Sequence, residues 1–311
     1  MEKTIDVLTF GDICVDMILS GKDVVPEFGQ TEKLIDGYSL ELGGSCCIFA
    51  SQTAKLGLKT TLVGKVGRDQ FGEFVMSTLR EAGIDTENVI VTEKEKTGIS
   101  VALNKGYDRA ILTYNGTIDA LYAQDINEEL LKRTRHLHIG SYFLMKKLQP
   151  YYPEIIRKLK GYGATISLDT NWDPDNKWES GLWDIIPLVD MVFLNENEAL
   201  GISKCDNLSA AVEKLRKHVP IVVIKRGEDG AQLFSDEGFY SSNAIKGSVA
   251  DTVGAGDSFD GGFVYGFLTG RTKKECMDIG CICGSLNTRQ NGGVKGQPLL
   301  KELMQFTTHG I

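Results

Sequence analysis

The stretch DTVGAGDSFDGGF, Asp251 to Phe263, crowds small residues around one carboxylate, Asp257. Beyond Gly256 the apolar residues Phe259, Phe263, Val264, Phe267 and Leu268 recur at helical spacing, so Gly254–Asp257 is predicted to open a helix. The first N–H groups of a helix have no internal partners and carry partial positive charge. A Gly-Ala-Gly loop lets a phosphate come within hydrogen-bonding distance of those groups. Asp257 then sits where it can take a proton from a hydroxyl attacking phosphorus. Taken alone, the same residues also fit a turn followed by an acid that favours the helix dipole. Two rival motifs fail: a dinucleotide fingerprint needs glycine where Phe259 stands, and there is no G-x-x-x-x-G-K-[ST] loop.

Outward from this stretch, short apolar runs alternate with amphipathic ones. Strands are predicted at 5–10, 60–66, 136–140, 165–170, 191–195 and 221–227, with helices at 46–56, 71–82, 152–160 and 208–217. Continuous apolar strands mark a parallel sheet covered on both faces. The alternation implies a doubly wound α/β sheet that binds ligands at the C-terminal ends of its strands. Two segments break the rhythm. Residues 97–115 alternate with period two about a central NKGYD, which predicts a β-hairpin with Ile99, Val101 and Leu103 facing Ala110, Leu112 and Tyr114. Residues 12–40 also lack helical period. Together they suggest a small β lid over the site, an edge that pairs with a second subunit, or both; plain surface loops are the third reading.

The chain has 311 residues and a net charge of −8, which argues against nucleic-acid or anionic-membrane partners. No apolar run approaches the 18 residues or so of a membrane span. The first residues, MEKTIDVLTFGD, lack the basic and apolar regions of a signal peptide, so a cytoplasmic location is expected. Seven cysteines without a C-x-x-C pair read as buried thiols rather than disulfides or zinc ligands.

Four stretches resemble the signatures of the ribokinase-like (PfkB-type) carbohydrate kinases. DTVGAGDSFDGGFVYGF matches the C-terminal signature; GGSCCIFASQTAKLG (43–57) followed by VGKVGRDQFGEFVMSTLREAGID (63–85) matches the N-terminal one. LNENEA (194–199) is similar to the N-x-x-E motif and IKRGEDGA (224–231) to the nucleotide-loop strand. The resemblance spans roughly residues 5–300, in family order. It implies one ribokinase-like domain over residues 1–311, its lid formed by about 12–40 and 97–115. It also implies ATP- and Mg²⁺-dependent phosphorylation of a primary alcohol, usually on a sugar.

By the same resemblance Asp257 is the base, and Gly254, Ala255 and Gly256 form the anion hole for the transferred group. Asn195 and Glu198 hold waters of Mg²⁺, although N-x-x-E fits a helix capping box equally well. Lys225, Gly227 and Gly230 lie along the nucleotide phosphates, or form an ordinary Gly-rich turn. Asn291 and Gly293 border the adenine and ribose. Asp251 and the Val253 carbonyl are the candidates for a monovalent cation, K⁺, beneath the anion hole; Asp251 could equally be a turn residue. On the acceptor side stand Asp12, Asp16, Gly43, Gly44 and Asp169, with Arg109 reaching over from the lid hairpin or else solvated at the surface. A homodimer through the lid strands is expected.

The chain departs from the family at Ile48, where the G-G-x-x-x-N run carries asparagine, and at Cys14, where ribokinases carry asparagine. Either the acceptor has fewer hydroxyls at that end, a rotated pose or an apolar substituent, or Ile48 merely packs in its helix. Asp173 stands where relatives often have arginine, which disfavours a phosphorylated acceptor. The resulting expectation is a fructokinase-like hexose kinase, with ribose, a 2-keto-3-deoxy sugar acid or a nucleoside behind it. A non-catalytic sensor on the same fold would be expected to lose Asp257 or its loop, and both are intact.

Overall fold

The structure, a computed structural model, describes residues 2–105 and 108–308, with the side chains of 104–109 and 307–308 outside the description. The strands are β1 (Ile5–Phe10), β2 (Cys14–Ser20), β3 (Gly37–Gly43), β4 (Thr60–Gly67), β5 (Val89–Thr92), β6 (Gly98–Lys105), β7 (Asp108–Tyr114), β8 (Thr134–Ile139), β9 (Thr165–Asp169), β10 (Met191–Asn195), β11 (Ile221–Lys225), β12 (Ala231–Ser235) and β13 (Gly238–Ser242). The helices are α1 (Ser45–Lys55), α2 (Gln70–Glu81), α3 (Glu128–Arg133), α4 (Tyr152–Gly161), α5 (Leu182–Ile185), α6 (Glu196–Ser203), α7 (Leu208–Arg216), α8 (Ala255–Leu268), α9 (Lys273–Asn287) and α10 (Leu300–Thr308).

Nine strands form one sheet in the order β13-β12-β11-β10-β9-β8-β1-β4-β5. The strands from β11 through β5 are parallel; β12 and β13 extend the edge antiparallel. Side chains alternate across a strand, so each apolar run feeds two cores. Val192, Leu194, Val222 and Ile224 join the cluster under α4–α7, whereas Met191, Phe193, Ile221 and Val223 meet Phe49 of α1 and Phe259 and Phe263 of α8. The predicted strands and helices are all present, with small shifts at their ends. β11 stops at Lys225, two residues early, because the chain turns through Gly227 (φ 56°). Asp69 stops α2 from starting earlier by accepting from Gly72 N at 2.9 Å.

A second sheet of four strands, β3-β2-β6-β7, gathers the two segments that broke the helical rhythm. Its register places Ile99, Val101 and Leu103 opposite Tyr114, Leu112 and Ala110, as the alternation predicts. Paired residues share a face, so Asp16, Glu41 and Ser100 point one way, and Met17, Leu40, Val101 and Leu112 the other. No helix among the described residues is long and apolar enough to cross a membrane.

Candidate active site

The carboxyl ends of β1, β9, β10 and β11 bring Asp12, Asp169, Asn195 and Lys225 to one edge of the large sheet. The N-termini of α1 and α8 arrive at the same edge, because α1 packs along α8 with Gly261 against Gln52.

Helix α8 opens at Gly254, which takes the left-handed conformation at φ 71° and gives no side-chain cap. A Cβ at Gly254 would fall 2.8 Å from both Ile48 Cγ2 and Gly293 Cα, so only glycine fits this close approach. Other helices meet their first N–H groups with a side chain: Asp69 for α2, Asn207 for α7 and Thr272 for α9. The first turn of α8 instead carries Asp257, which is 7 % exposed. Burial pushes the Asp257 carboxyl up to about 7, with Asp169 and Asp12 adding to the rise and Lys225 opposing it. A carboxyl poised there is suited to take up a proton near neutral pH.

Asp12 is placed differently from the expectation that it holds acceptor hydroxyls. It accepts from Ser45 N at 2.9 Å and Cys46 N at 3.0 Å, the first donors of α1, and from the Ser141 hydroxyl. Asn171 tightens the same corner: its Oδ1 accepts from Ser141 N at 2.7 Å and its Nδ2 donates to Ser45 Oγ at 2.8 Å. Both Ser141 and Asn171 hold positive φ, 48° and 53°, a strain the network offsets. Asp16 lies on the small sheet beside Gly43, where a Cβ would meet Asp16 Oδ1 at 2.3 Å. At Gly44, φ is 90° and a Cβ would lie 1.7 Å from the Asp12 carbonyl. Both glycines are thus required by close backbone approach. The backbone of Arg109 pairs with Asn104 in the small sheet, and its side chain lies outside the described residues.

Asn195 and Glu198 form a reciprocal capping box on α6: Glu198 N donates to Asn195 Oδ1 at 2.9 Å, and Asn195 N to Glu198 Oε2 at 2.7 Å. Glu198 is 6 % exposed, and burial raises its carboxyl to about 7, with Asp169 adding and Lys225 opposing. Among the described residues no three His, Cys, Asp or Glu side chains gather as a metal cage. The box uses Asn195 Oδ1, the only oxygen of that side chain, and leaves Glu198 Oε1 outside it, so this donor set suits Mg²⁺ met through water and not a direct protein cage.

Lys225 is engaged by the protein's own carboxylates. Its Nζ lies 2.5 Å from Asp169 Oδ2 and 3.4 Å from each oxygen of Asp260. Gly230, at φ 83°, is locked by the Ser242 carbonyl, 2.0 Å from where its Cβ would be; this is the Gly-rich turn of the β11–β12 hairpin. Asp251 accepts from Val253 N and from Gly292 N, and the Val253 carbonyl accepts from Asn287 Nδ2 at 2.8 Å. Asn291 is exposed and Gly293 is buried in the same loop.

The departures at Ile48, Asp173 and Cys14 have packing explanations. Ile48 wedges between Gly254 and Gly293 and so faces the two loops. Asp173 folds its own loop by accepting from the N–H groups of Asp175, Lys177 and Trp178. Cys14 is 4 % exposed beside Gly43, with Sγ 3.9 Å from Asp16 Oδ1. Sequence reading placed Asn171 beside Asp169 at a strand end on the site side, and passed over Asp260, Ser141 and Glu41. Asp260 alone carried a signal: an acid one turn beyond Asp257 in an apolar helix.

Comparison with known proteins agrees with this geometry. The pfkB family of carbohydrate kinases matches residues 4–299. The chain is 26% identical to the 5-dehydro-2-deoxygluconokinase of Geobacillus thermodenitrificans over 327 residues, covering 99% of this chain and 94% of that one. It is 26% identical to the ATP-dependent 6-phosphofructokinase of Thermoanaerobacterium thermosaccharolyticum, covering 96% and 92% of the two chains. A putative ribokinase II from E. coli, solved in complex with ATP and Mg²⁺, superposes with a TM-score of 0.86 at 25% identity, covering 98% and 99%. A fructokinase from Xylella fastidiosa shares the fold with a TM-score of 0.85 at 20% identity, covering 99% of each chain. The chain belongs to the pfkB family of carbohydrate kinases.

Proposed function

We propose that this chain transfers the γ-phosphoryl group of ATP to a primary hydroxyl of a hexose, in a fructokinase-like reaction. The observation that carries the reading is the start of α8: a glycine-opened N-terminus without a side-chain cap, with buried Asp257 in its first turn. Asp257 takes the hydroxyl proton as the alkoxide oxygen bonds to phosphorus and the bond to the β-phosphate oxygen breaks, leaving ADP. The backbone of Gly254, Ala255 and Gly256 faces the charge on the moving group. Asn195 and Glu198 would hold waters of Mg²⁺, which when bound neutralises charge on the phosphates. Gly227, Gly230, Asn291 and Gly293 border the nucleotide. Asp16, Gly43, Gly44 and Asp169 border the acceptor, with Asp12 shaping that side through α1. The lid role of the small sheet is supported by Asp16 and Glu41 sharing one face, with Glu41 against Gly292 and paired with Lys295.

A second acceptor class, a keto-deoxy sugar acid, is supported by the relatives named 5-dehydro-2-deoxygluconokinase. The carboxylates on the acceptor side favour a neutral polyol over an acid. The test is ADP release with Mg-ATP against fructose, glucose, ribose, tagatose, 2-keto-3-deoxygluconate, 5-dehydro-2-deoxygluconate, adenosine and fructose 6-phosphate. Fastest turnover of fructose, lost in Asp257→Asn, is expected. Preference for either acid would install the second reading. Nucleotide binding without turnover of any acceptor would make the chain a sensor and overturn the proposal.

The outer face of the small sheet supports a homodimer. Tyr38, Leu112 and Tyr114 are 73 %, 64 % and 52 % exposed there, beside Leu40 and Val101. Such an apolar sheet face needs a cover, and a second copy supplies a matching one. Sedimentation at micromolar concentration should give a dimer that Leu112→Glu dissociates; a wild-type monomer would remove the idea.

A further inference from the structure

The buried charges beneath α8 carry an assignment of their own. Lys225 is the cation among four acids contributed by three elements. Asp169 ends β9, Glu198 lies in α6, and Asp257 and Asp260 sit one turn apart on α8. Its side chain is 15 % exposed, and the ammonium grips Asp169 at 2.5 Å, with Asp260 at 3.4 Å. It also lies directly behind the anion hole: a Cβ at Gly256 would be 3.2 Å from Nζ. That position is enclosed by β9, β11 and α8, so the side chain is occupied by the protein's own carboxylates.

We propose that Lys225 is a positioning residue for phosphoryl transfer: held by Asp169 and Asp260, it ties the first turn of α8 to the sheet and backs Gly256 with a fixed positive charge, without binding the nucleotide. The inference rests on the kinase reading above. A long side chain fixed by two partners at the sheet edge limits how far the helix start can shift, and small displacements of positioned groups are costly in transfer reactions. The charge acts in a water-poor interior, where it needs no reorganisation as charge moves onto the transferred oxygens. Burial pushes the Asp260 carboxyl well up, with Lys225 opposing and the charge and hydrogen bond of Asp169 adding. Asp169 is held ionised: burial opposes this, but Lys225 and the hydrogen bonds it receives prevail. Lys225 and Asp169 thus form one buried ion pair, beside which the Asp257 and Glu198 carboxyls are both raised to about 7. The other groups near Asp257 are Asp12 at the end of β1, Ser45 and Cys47 on α1, and Asp169 on β9. His138 on β8 is near Asp169 and Lys225; burial holds it neutral, down to about 3, with Asp169 opposing and Lys225 adding.

The test is Lys225→Met, read by Mg-ADP calorimetry and by kcat and kcat/KM across pH on the acceptor that wild type turns over. Mg-ADP affinity should stay within about threefold, kcat at pH 7 should fall about 10²-fold, and the acid limb of kcat/KM should move up by about one pH unit. A second variant, Lys225→Met with Asp169→Asn, keeps the buried charge balanced and so protects the fold. It should bring the limb back toward wild type while kcat stays at least about tenfold low, because the tether is still missing. A tenfold loss of Mg-ADP affinity with kcat retained would make Lys225 a nucleotide ligand and overturn the inference. An unmoved limb, or full kcat in the double variant, would also overturn it. Wild-type protein that binds no Mg-ADP would instead sink the kinase reading itself.

Discussion

Helices α1 and α8 both begin at a glycine with positive φ, 90° at Gly44 and 71° at Gly254, and neither is capped by its own N-cap side chain. Their first donors meet different fates. Those of α1 are taken by Asp12, which reaches over from the end of β1 to accept from Ser45 N and Cys46 N. Among the described residues the first turn of α8 has no such upstream carboxylate; Asp257 lies within it and Lys225 behind it. One backbone device therefore serves two ends. A helix start supplied with an acid by the preceding strand becomes a wall of the site, and one left without becomes a place for an anion.

The largest expected effect separates the two starts by chemistry. Asp257→Asn should lower kcat about 10²–10⁴-fold, and wild-type kcat/KM should rise with pH through about 7 before levelling. Stability should move the other way. The native carboxyl of Asp257 is raised to about 7, chiefly by burial, so the folded state keeps its proton longer than the unfolded one. Its contribution is full below the unfolded value near 4 and is lost as pH rises through about 7. Asp257→Asn removes that loss, so the variant should melt no lower, and at pH 8 higher, than wild type. A melting point several degrees below wild type would make Asp257 a structural acid and erase the contrast.

Next in size is Asp12→Ala, which should do the reverse. It strips three hydrogen-bond donors of a buried acceptor, a loss of about 2–4 kcal/mol. The melting point should fall by several degrees. Activity, measured at a temperature where the variant is folded, should fall less than in Asp257→Asn. If Asp12→Ala instead kept its melting point and raised only the KM of the sugar, Asp12 would be an acceptor ligand as its sequence position first suggested.

The contrast between the two helices marks what the sequence made legible. The period-two alternation of 97–115 gave the pairing of Ile99 with Tyr114 and Val101 with Leu112, because side-chain register in a hairpin is a local property. The glycines at 43, 44 and 254 were readable as sites of close approach, but by a ligand; the Asp16 side chain, the Asp12 carbonyl, and Ile48 with Gly293 are what approach them. What stayed hidden was direction. Asp12, Lys225 and Glu198 were each placed at a strand end or helix start, yet their partners, Ser45, Asp169 and Asn195, decide what they do. Asp12 and Ser45 lie 33 residues apart, and Lys225 and Asp169 lie 56 apart. Only the assembled sheet edge joins them. Glu198 stayed open for the opposite reason: its partner was near in sequence, but a capping box and a metal motif share the spacing N-x-x-E, and spacing cannot rank them.

The smallest expected effect concerns the floor of the α8 start. A monovalent cation beneath the anion hole would use Asp251 and the Val253 carbonyl. Here both Asp251 oxygens accept backbone N–H groups, 3.1 Å from Val253 N and 3.0 Å from Gly292 N. The Val253 carbonyl accepts from Asn287 Nδ2. Ile48 fills the space between Gly254 and Gly293. The loop that opens α8 is thus joined to the loop after α9 by direct hydrogen bonds and apolar packing, the interactions a shared cation would otherwise provide. Replacing K⁺ by tetramethylammonium at constant ionic strength should therefore change kcat by less than about threefold, since no hydrogen bond of this floor is lost. Activity that collapses without K⁺, and returns with it, would mean that the cation displaces Asn287 from the Val253 carbonyl, and that the α8 start, unlike the α1 start, is completed from outside the chain.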